Sequence, residues 1–495
     1  MFGGNDRVRD VEALYIVLFA VAFIGYAIAI CVLGLETEVM RDRFPDADQL
    51  FNGDIPITEY PPLSLIFFIL PRIFFSDPLG YNVGFVIMIF AITLVGLHLI
   101  RRTAESLNVN PVWAMTVYSV LIALLLEYVA DRYDIIPAVL TLASFYFFIN
   151  RKMPAAFVIL AFAMMTKLYP AVLLPIYLII YLSERDWKGF FTGVAWFAAG
   201  TAVVAIPALL VDPDIIFGFI GYHSARPLEI DSLAATLIYP LSLLGITDTW
   251  IQPSTAEGSY GSDNLRGPLC DAVAPWLTPI MIVLMLLFFL WYAKARYRLR
   301  RVDERAFVLS AAIFITLMIF ILAGKVLSSQ YIIWVVPFLA IPLSLMEDSR
   351  QKWRIFWLSV ATVVLTQVNF AYTYLITGGG ESITSLSILT ILVRNLMLLA
   401  VALMLLREIR NVLDRGFSGD DRCSDLPLRC RSHPAVRMHS VLCQYRSGEG
   451  RRQRAVHQRA LIYFPKSSVN LLISSGLISP ILAIRNVGVS LSFPG

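Results

Sequence analysis

The chain has 495 residues, of which 58% are hydrophobic and only 15% are charged, with a formal net charge of +4. Its mean hydropathy is +0.71. A soluble domain carries about 25% charged residues, and a water-soluble fold could not bury this much apolar surface. These values exclude a soluble globular enzyme, a disordered chain and a coiled coil, and they make the lipid bilayer the expected surroundings of the protein.

Apolar runs that meet or approach the length of a bilayer crossing, roughly 20 residues, recur along most of the chain. They lie at residues 13–33, 81–100, 112–128, 135–149, 190–211, 273–292, 307–322, 331–346, 353–376 and 386–406. Because a segment in lipid must satisfy its own backbone hydrogen bonds, these runs are predicted to be helices. We therefore expect an all-α integral membrane protein, a polytopic bundle of about 11–13 transmembrane helices.

Two segments between these runs are irregular. Residues 155–182 are too long for one span and are interrupted by Thr166-Lys167-Leu168-Tyr169-Pro170, which predicts two short helices forming a hairpin around Lys167. Residues 61–75 would make only about 22 Å of helix, which is short for a crossing. We expect a half-inserted or interfacial helix there, because a full crossing would reverse the sides of the basic connections that follow.

Charge in the connections predicts the orientation. Residues 294–305 carry six basic and two acidic side chains. Residues 34–60 carry seven acidic side chains against two arginines, and residues 212–272 carry eight against two. Since basic connections favour the cytoplasm, the amino terminus is predicted to be cytoplasmic and the two acidic connections to be outer loops. No cleavage site follows the first run, so we expect a retained first span in a multi-pass protein of the cell membrane.

The last eighty residues differ from the rest in composition. Residues 1–415 are expected to form one membrane domain, whereas residues 416–495 are rich in Arg, Ser and Cys and lose the apolar periodicity. This segment is predicted to be disordered or non-native, for example after a frame shift, with a basic tail that touches anionic lipid as the alternative. The five cysteines show no metal-ligand spacing, so no metal site is predicted.

Charged side chains beside membrane segments are costly and are usually functional, and here they concentrate in the predicted outer connections. Three acids, Glu36, Glu38 and Asp42, follow the first span. The other candidates are Glu59, Tyr60, Arg132, Asp134, Lys167, His223, Arg226, Lys325, Gln330 and Tyr331. A carboxylate can take the proton of an attacking hydroxyl, and cations can hold a phosphate leaving group. A site that moves a sugar from a lipid phosphate to an alcohol needs both.

Five stretches, in chain order, resemble the successive signatures of glycosyltransferase family 87. They are Glu59-Tyr60-Pro61-Pro62-Leu63, Arg132-Tyr133-Asp134-Ile135-Ile136-Pro137, Thr166-Lys167-Leu168-Tyr169-Pro170, His223-Ser224-Ala225-Arg226-Pro227-Leu228-Glu229-Ile230-Asp231-Ser232 and Lys325-Val326-Leu327-Ser328-Ser329-Gln330-Tyr331. The family comprises enzymes of the GT-C fold, among them mannosyltransferases that use polyprenol-phosphate-mannose. The resemblance covers residues from about 13 to 410.

The resemblance implies an inverting transfer from a polyprenyl-phosphate sugar, expected to be mannose, to the hydroxyl of a glycolipid or glycan on the extracytoplasmic face. One acid early in the first outer loop would be the base. The sequence departs from the family's usual aspartate-then-tyrosine spacing, which leaves Glu38, Asp42 and Glu36 as candidates, with the first two favoured. No Gly-rich phosphate loop indicates a nucleotide sugar. No cofactor and no nucleic-acid partner are expected, and dependence on a divalent metal is left open.

Two other classes of function compete with this interpretation. A transporter or flippase of lipid-linked sugars often has interrupted segments at matching positions in two similar halves. Here the broken segment around Lys167 has no counterpart in the second half, which favours the enzyme. A non-catalytic relative that binds a lipid-linked sugar would keep the cations but tolerate loss of the loop acids.

Overall fold

The computed structural model of the chain describes residues 3–56, 59–297, 299, 301–376 and 383–418. Residues 416–418 continue the last helix, and the remainder of the predicted tail, from residue 419 onward, lies outside the described residues. The predictions for that tail are therefore untested. The described part is an all-α membrane protein with a single small pair of strands.

The helices of the described part, in chain order, are α1 (Gly3–Leu33), α2 (Phe44–Phe51), α3 (Ser64–Arg72), α4 (Pro78–Ser106), α5 (Pro111–Leu124), α6 (Leu126–Ala130), α7 (Ile135–Ile149), α8 (Met153–Thr166), α9 (Leu173–Ser183), α10 (Trp187–Val211), α11 (Asp214–Ala225), α12 (Leu233–Leu243), α13 (Pro268–Arg296), α14 (Val302–Ala323), α15 (Ile332–Leu345), α16 (Arg350–Phe370) and α17 (Ser385–Ser418). Single turns of 3-10 or π helix occur at Val39–Arg43, Tyr169–Val172, Ser329–Tyr331 and Ala371–Ile376.

Seven of these helices (α1, α4, α10, α13, α14, α16 and α17) have the length and composition to cross a membrane. Six shorter apolar helices of 10–17 residues lie between them in the described chain. The count of eleven to thirteen crossings depends on these shorter helices and stays a prediction. Helix α15 is buried along almost its whole length and α14 from Phe307 to Met318, so they form the centre of the bundle.

The irregular segment around Lys167 forms the predicted hairpin. Lys167 has extended backbone angles (φ −156°, ψ 138°), which end α8, and a 3-10 turn then leads into α9. Near the other end of the pair, the Tyr181 hydroxyl of α9 contacts the Met153 sulfur at the start of α8. Helix α3 has nine residues, about 14 Å, which is too short to cross the hydrocarbon core.

The connection at residues 212–272 is more structured than the predicted outer loop. It contains α11, α12 and an antiparallel pair of strands, β1 (Trp250–Gln252) and β2 (Asn264–Arg266). Helix α12 forms because Ser232 caps an apolar segment: its hydroxyl accepts a hydrogen bond from the Ala235 N–H at 3.1 Å, which satisfies a free donor of the first turn. With eleven residues, α12 is shorter than the apolar runs that predict a membrane span.

The basic connections meet at one end of the bundle. The Asn150 amide, after α7, donates to the Ser106 hydroxyl at the end of α4 (3.2 Å). The rings of Trp113 and Trp353, at the starts of α5 and α16, pack edge to face with centroids 4.9 Å apart. We call this the basic end. The connections rich in acidic residues meet at the opposite end, around the cavity described next.

Candidate active site

A cavity of about 390 Å³ lies between the connection after α1, the turn after α6, the break at Lys167, the segment after α11 and the turn before α15. Eleven of the thirteen candidate residues named from the sequence line it; Asp134 and Lys325 lie behind its wall. The titratable and amide groups of the lining are Glu36, Glu38, Arg41, Asp42, Arg43, Glu59, Tyr60, Glu127, Tyr128, Asp131, Arg132, Lys167, His223, Arg226, Glu229, Asp231, Tyr260, Asp263, Gln330, Tyr331 and Asn369.

Glu38 immediately precedes the π-helical turn Val39–Arg43, and Asp42 lies on that turn. The carboxylate of Asp131, from the turn after α6, accepts hydrogen bonds from the backbone N–H groups of Glu38 and Val39, both at 3.2 Å. The Thr37 hydroxyl accepts another from the Met40 N–H, also at 3.2 Å. These bonds satisfy the free donors that begin a helical turn, so they fix the backbone from which the Glu38 side chain reaches the cavity.

The three candidate bases have different surroundings. The Glu38 carboxylate is paired with Arg132 and lies 3.7 Å from an Arg43 nitrogen, and its side chain is only 12% exposed. Asp42 pairs with its exposed neighbour Arg41 at 2.9 Å. Glu36 is exposed at the rim. Glu38 is therefore the most enclosed of the three and the one bonded to the deeper cations.

Arg43 is the centre of the acidic side of the cavity. Its guanidinium donates to the Glu59 carboxylate and to the Tyr60 hydroxyl, both at 2.9 Å, and lies over the Tyr60 ring. Burial opposes ionisation of Glu59, but Arg43, together with hydrogen bonds from Tyr60 and Tyr222 and the charge of Arg226, outweighs it and lowers the pKa of that carboxyl to about 2. Asp46 lies 3.6 Å from Arg43, but burial dominates there and raises its pKa to about 6. Glu59 is thus a fixed negative charge that orients Arg43.

Lys167 occupies a box of aromatic rings at the base of the cavity. Its ammonium lies 5.0–5.4 Å from the ring centroids of Tyr60, Tyr133, Tyr331 and Trp334. It donates to the buried Asp134 carboxylate at 2.7 Å, and the Trp334 indole donates to the same oxygen at 2.6 Å. Aromatic faces attract a cation. Asp134 therefore holds Lys167 from behind the cavity wall.

The end of α11 supplies His223, and Arg226 follows the helix directly. Burial, assisted by Arg226, lowers the pKa of His223 to about 4, so its ring is neutral and its Nε2 lies 3.1 Å from the Glu59 carbonyl. Arg226 and Glu229 approach within 3.7 Å. Burial raises the pKa of Glu229 to about 7. The Arg226 Nε and one Glu229 oxygen have no hydrogen-bond partner among the described residues.

The remaining candidates come from the turn before α15. Lys325 donates to the Ser224 carbonyl at 2.8 Å, and its own carbonyl accepts from the Glu229 N–H at 3.1 Å. Lys325 therefore supports the end of α11 and the segment that follows it from outside the cavity. Gln330 accepts from the Ser328 hydroxyl at 2.7 Å. Tyr331 lies against Trp334 with ring centroids 3.8 Å apart, so it belongs to the wall beside Lys167.

Several charged groups at or beside the cavity are not among the thirteen candidates: Arg43 and Glu229 are described above, and Asp131 and Arg394 follow here. Asp131 adjoins the candidate Arg132 in sequence but was not itself chosen, although it caps the turn that holds Glu38. Burial raises its pKa to about 7. Arg394, on α17, donates to Asp231 at 3.2 Å and to Ser329 at 2.7 Å. A single arginine in an apolar run was the available signal, because a buried charge in lipid needs a partner.

The described side chains do not form a group of three or more His, Cys, Asp or Glu placed to hold a metal ion. Several acids of the cavity, among them Glu38, Glu59 and Glu229, instead lie beside arginines. What the arrangement can do is bind an anion through cations and take a proton through a carboxylate, within one enclosed space.

The sequence profile of glycosyltransferase family 87 matches residues 58–323, more than half of the chain. The chain belongs to glycosyltransferase family 87. The family resemblance is thereby confirmed; the match contains the first four motifs and ends before the fifth, which begins at Lys325. The matched region includes Glu59, Arg132, Lys167 and Arg226, whereas the three early acids precede it. No curated protein matches the chain significantly.

Proposed function

We propose that this glycosyltransferase moves a sugar, expected to be mannose, from a polyprenyl-phosphate donor to a hydroxyl of a glycolipid or glycan acceptor, on the extracytoplasmic face and with inversion. The observation that supports this best is the cavity itself. It joins the early acids to Arg132, Lys167 and Arg226, which come from three separate parts of the chain.

Glu38 is the proposed base. The acceptor oxygen attacks the anomeric carbon while the bond from that carbon to the phosphate oxygen breaks, so the electron pair leaves with the polyprenyl phosphate. The hydroxyl proton passes to the Glu38 carboxylate. Glu38 is preferred over Asp42 and Glu36 because its backbone is fixed by Asp131 and its side chain is enclosed, which favours a defined position for proton transfer.

Binding of the donor requires an exchange of partners, because the cavity cations already face carboxylates. Arg132 is paired with Glu38, and Arg226 lies near Glu229. A donor phosphate that takes Arg132 would release the Glu38 carboxylate to accept a proton. The unpartnered Nε of Arg226 offers a second donor, and a guanidinium grips two phosphate oxygens.

The test uses membranes containing the full chain and radiolabelled polyprenyl-phosphate mannose, with acceptor lipids extracted from the source organism. We expect transfer by the wild type and none by the variant in which Glu36, Glu38 and Asp42 are all replaced by Ala. Transfer that survives this triple replacement would refute the assignment of the base. An unchanged elution volume and melting temperature in detergent would show that the variant is folded.

The same preparation separates the enzyme from the rival transporter. Wild-type membranes that move labelled lipid-linked sugar between leaflets without forming a glycosylated product would favour the flippase. Transfer from another polyprenyl-phosphate sugar but not from the mannose donor would retain the mechanism and correct the sugar. The proposed mechanism uses no cofactor, and transfer measured with and without a chelator determines whether a divalent metal is required.

A further inference from the structure

A second, larger groove lies at the basic end, far from the catalytic cavity. It has a volume of about 850 Å³ and lies where the start of α16 meets α17, with Met404 contributed by α17. Helix α16 connects the two sites, because Arg350 begins it and Phe370, its last residue, lines the catalytic cavity. Twenty residues of helix separate the sites by about 30 Å. The groove is therefore not a part of the sugar-transfer site.

One exposed face of α16 carries the groove. Trp353 and Arg354 follow Arg350 by three and four residues, and Trp357 follows that pair by four and three, which places all four on the same side of a helix. Trp353 and Trp357 are 39% and 59% exposed. The opposite side of the helix is packed instead: Lys352 is buried and lies over the Trp113 ring at 4.8 Å.

The two arginines of this face are available to a ligand. Among the described residues, neither the Arg350 nor the Arg354 side chain has an ion-pair or hydrogen-bond partner. The nearby carboxylate, Asp348, accepts a hydrogen bond from the Trp353 indole at 2.8 Å. This contrasts with the cavity arginines Arg43 and Arg132, which are paired with acids. Two unpaired guanidiniums one turn apart match the oxygens of a phosphate group.

The groove continues into apolar surface. Leu358 and Met404 line it, and further along α16 the side chains of Val364 and Val368 are 41% and 56% exposed. A free phosphate ion would leave this apolar part empty, whereas an acyl chain would cover it. Tryptophan is favoured where hydrocarbon meets the headgroups, and basic pockets between membrane helices bind anionic lipid headgroups.

We propose that this groove is a binding site for an anionic phospholipid of the leaflet at the basic end. Arg350 and Arg354 hold its phosphate, the two tryptophans lie at the depth of its glycerol backbone, and an acyl chain follows the exposed face of α16. The inference is independent of the proposed sugar transfer, because no residue of the groove belongs to the catalytic cavity.

The test measures quenching of tryptophan fluorescence in the detergent-solubilised full chain by phosphatidylglycerol with brominated acyl chains. Brominated phosphatidylcholine serves as the zwitterionic probe. The chain has nine tryptophans, so the signal of the groove is the difference between wild type and Trp353→Phe/Trp357→Phe. We expect this signal to saturate at lower concentrations of phosphatidylglycerol than of phosphatidylcholine. Arg350→Gln/Arg354→Gln should weaken the phosphatidylglycerol titration on the order of tenfold.

The control variant Arg185→Gln/Lys188→Gln removes two exposed charges beside the exposed Trp187, outside the groove. It should leave the groove's preference unchanged. The proposal is overturned if both lipids give the same titration, if Arg350→Gln/Arg354→Gln behaves like wild type, or if the control loses the preference equally. Displacement of the lipid by inorganic phosphate alone would identify a simple anion site and would also overturn it.

Discussion

At the scale of single residues, Glu38 differs from Glu36 and Asp42 in how its carboxylate is held. Replacing Glu38 by Gln keeps its size but removes the proton acceptor. We expect the rate of sugar transfer to fall by about a hundredfold to ten-thousandfold, the usual contribution of a positioned base. Initial rates with the labelled donor measure this. Asp42→Asn should stay near wild type, because its ion pair is exposed and contributes little; an equal loss in Asp42→Asn would move the base away from Glu38.

The buried Asp131 is expected to make the free energy of unfolding of the protein depend on pH. Burial raises its pKa to about 7 in the folded chain, above the value of about 4 that an aspartate has when unfolded. The folded protein therefore keeps a proton that the unfolded chain releases, and the free energy of unfolding falls as the pH rises from about 4 to 7. Glu229, with a pKa raised to about 7, and Asp46, at about 6, act in the same direction.

Asp131→Asn cannot titrate, so the decrease in its melting temperature across this pH range should be smaller than in wild type. Thermal unfolding in detergent at several pH values measures the slope. Asp54→Asn, a change at an exposed loop residue, is the matched control and should reproduce the wild-type slope. A slope that is the same in Asp131→Asn and in wild type would show that Asp131 does not hold this proton.

At the scale of elements, the break between α8 and α9 depends on a buried pair. Lys167→Met leaves the Asp134 carboxylate buried without its cation, which costs about 3–5 kcal/mol of unfolding free energy. Lys167→Met/Asp134→Asn should recover most of that stability, since the Asn oxygen can still accept from Trp334, but it should not recover sugar transfer. Unfolding and transfer assays on the two variants and on Lys188→Met, an exposed lysine, check this. A double variant that is as unstable as Lys167→Met would contradict the role of the pair.

The same elements show which parts of the fold and of the site can be predicted from the sequence. The break at Lys167 could be predicted because a lysine and Pro170 interrupt an apolar segment, and both effects are local. The π-helical turn after Glu38 could not, because its stability depends on Asp131, about ninety residues away. The partners of the cations are equally non-local: Arg394 reaches Asp231 across 163 positions. The sequence motifs therefore predicted many of the residues that line the cavity, but they did not predict which acid pairs with each arginine.

At the scale of the whole molecule, the two ends of the bundle carry opposite charge, and this predicts its direction in the membrane. The connections around the catalytic cavity are acidic, and those at the basic end contain Lys188 and Arg350. Basic connections favour the cytoplasm, so the cavity should open outside.

A labelling experiment tests this direction. Glu257 and Lys188 are exposed and serve as labelling positions for the acidic and the basic end. Each is replaced by Cys in a chain whose five native cysteines are changed to Ser, and intact cells are treated with a membrane-impermeant maleimide. We expect labelling of the cysteine at 257 in intact cells and of the cysteine at 188 only after lysis. The reverse pattern would place the catalytic cavity in the cytoplasm, where an extracytoplasmic donor could not reach it.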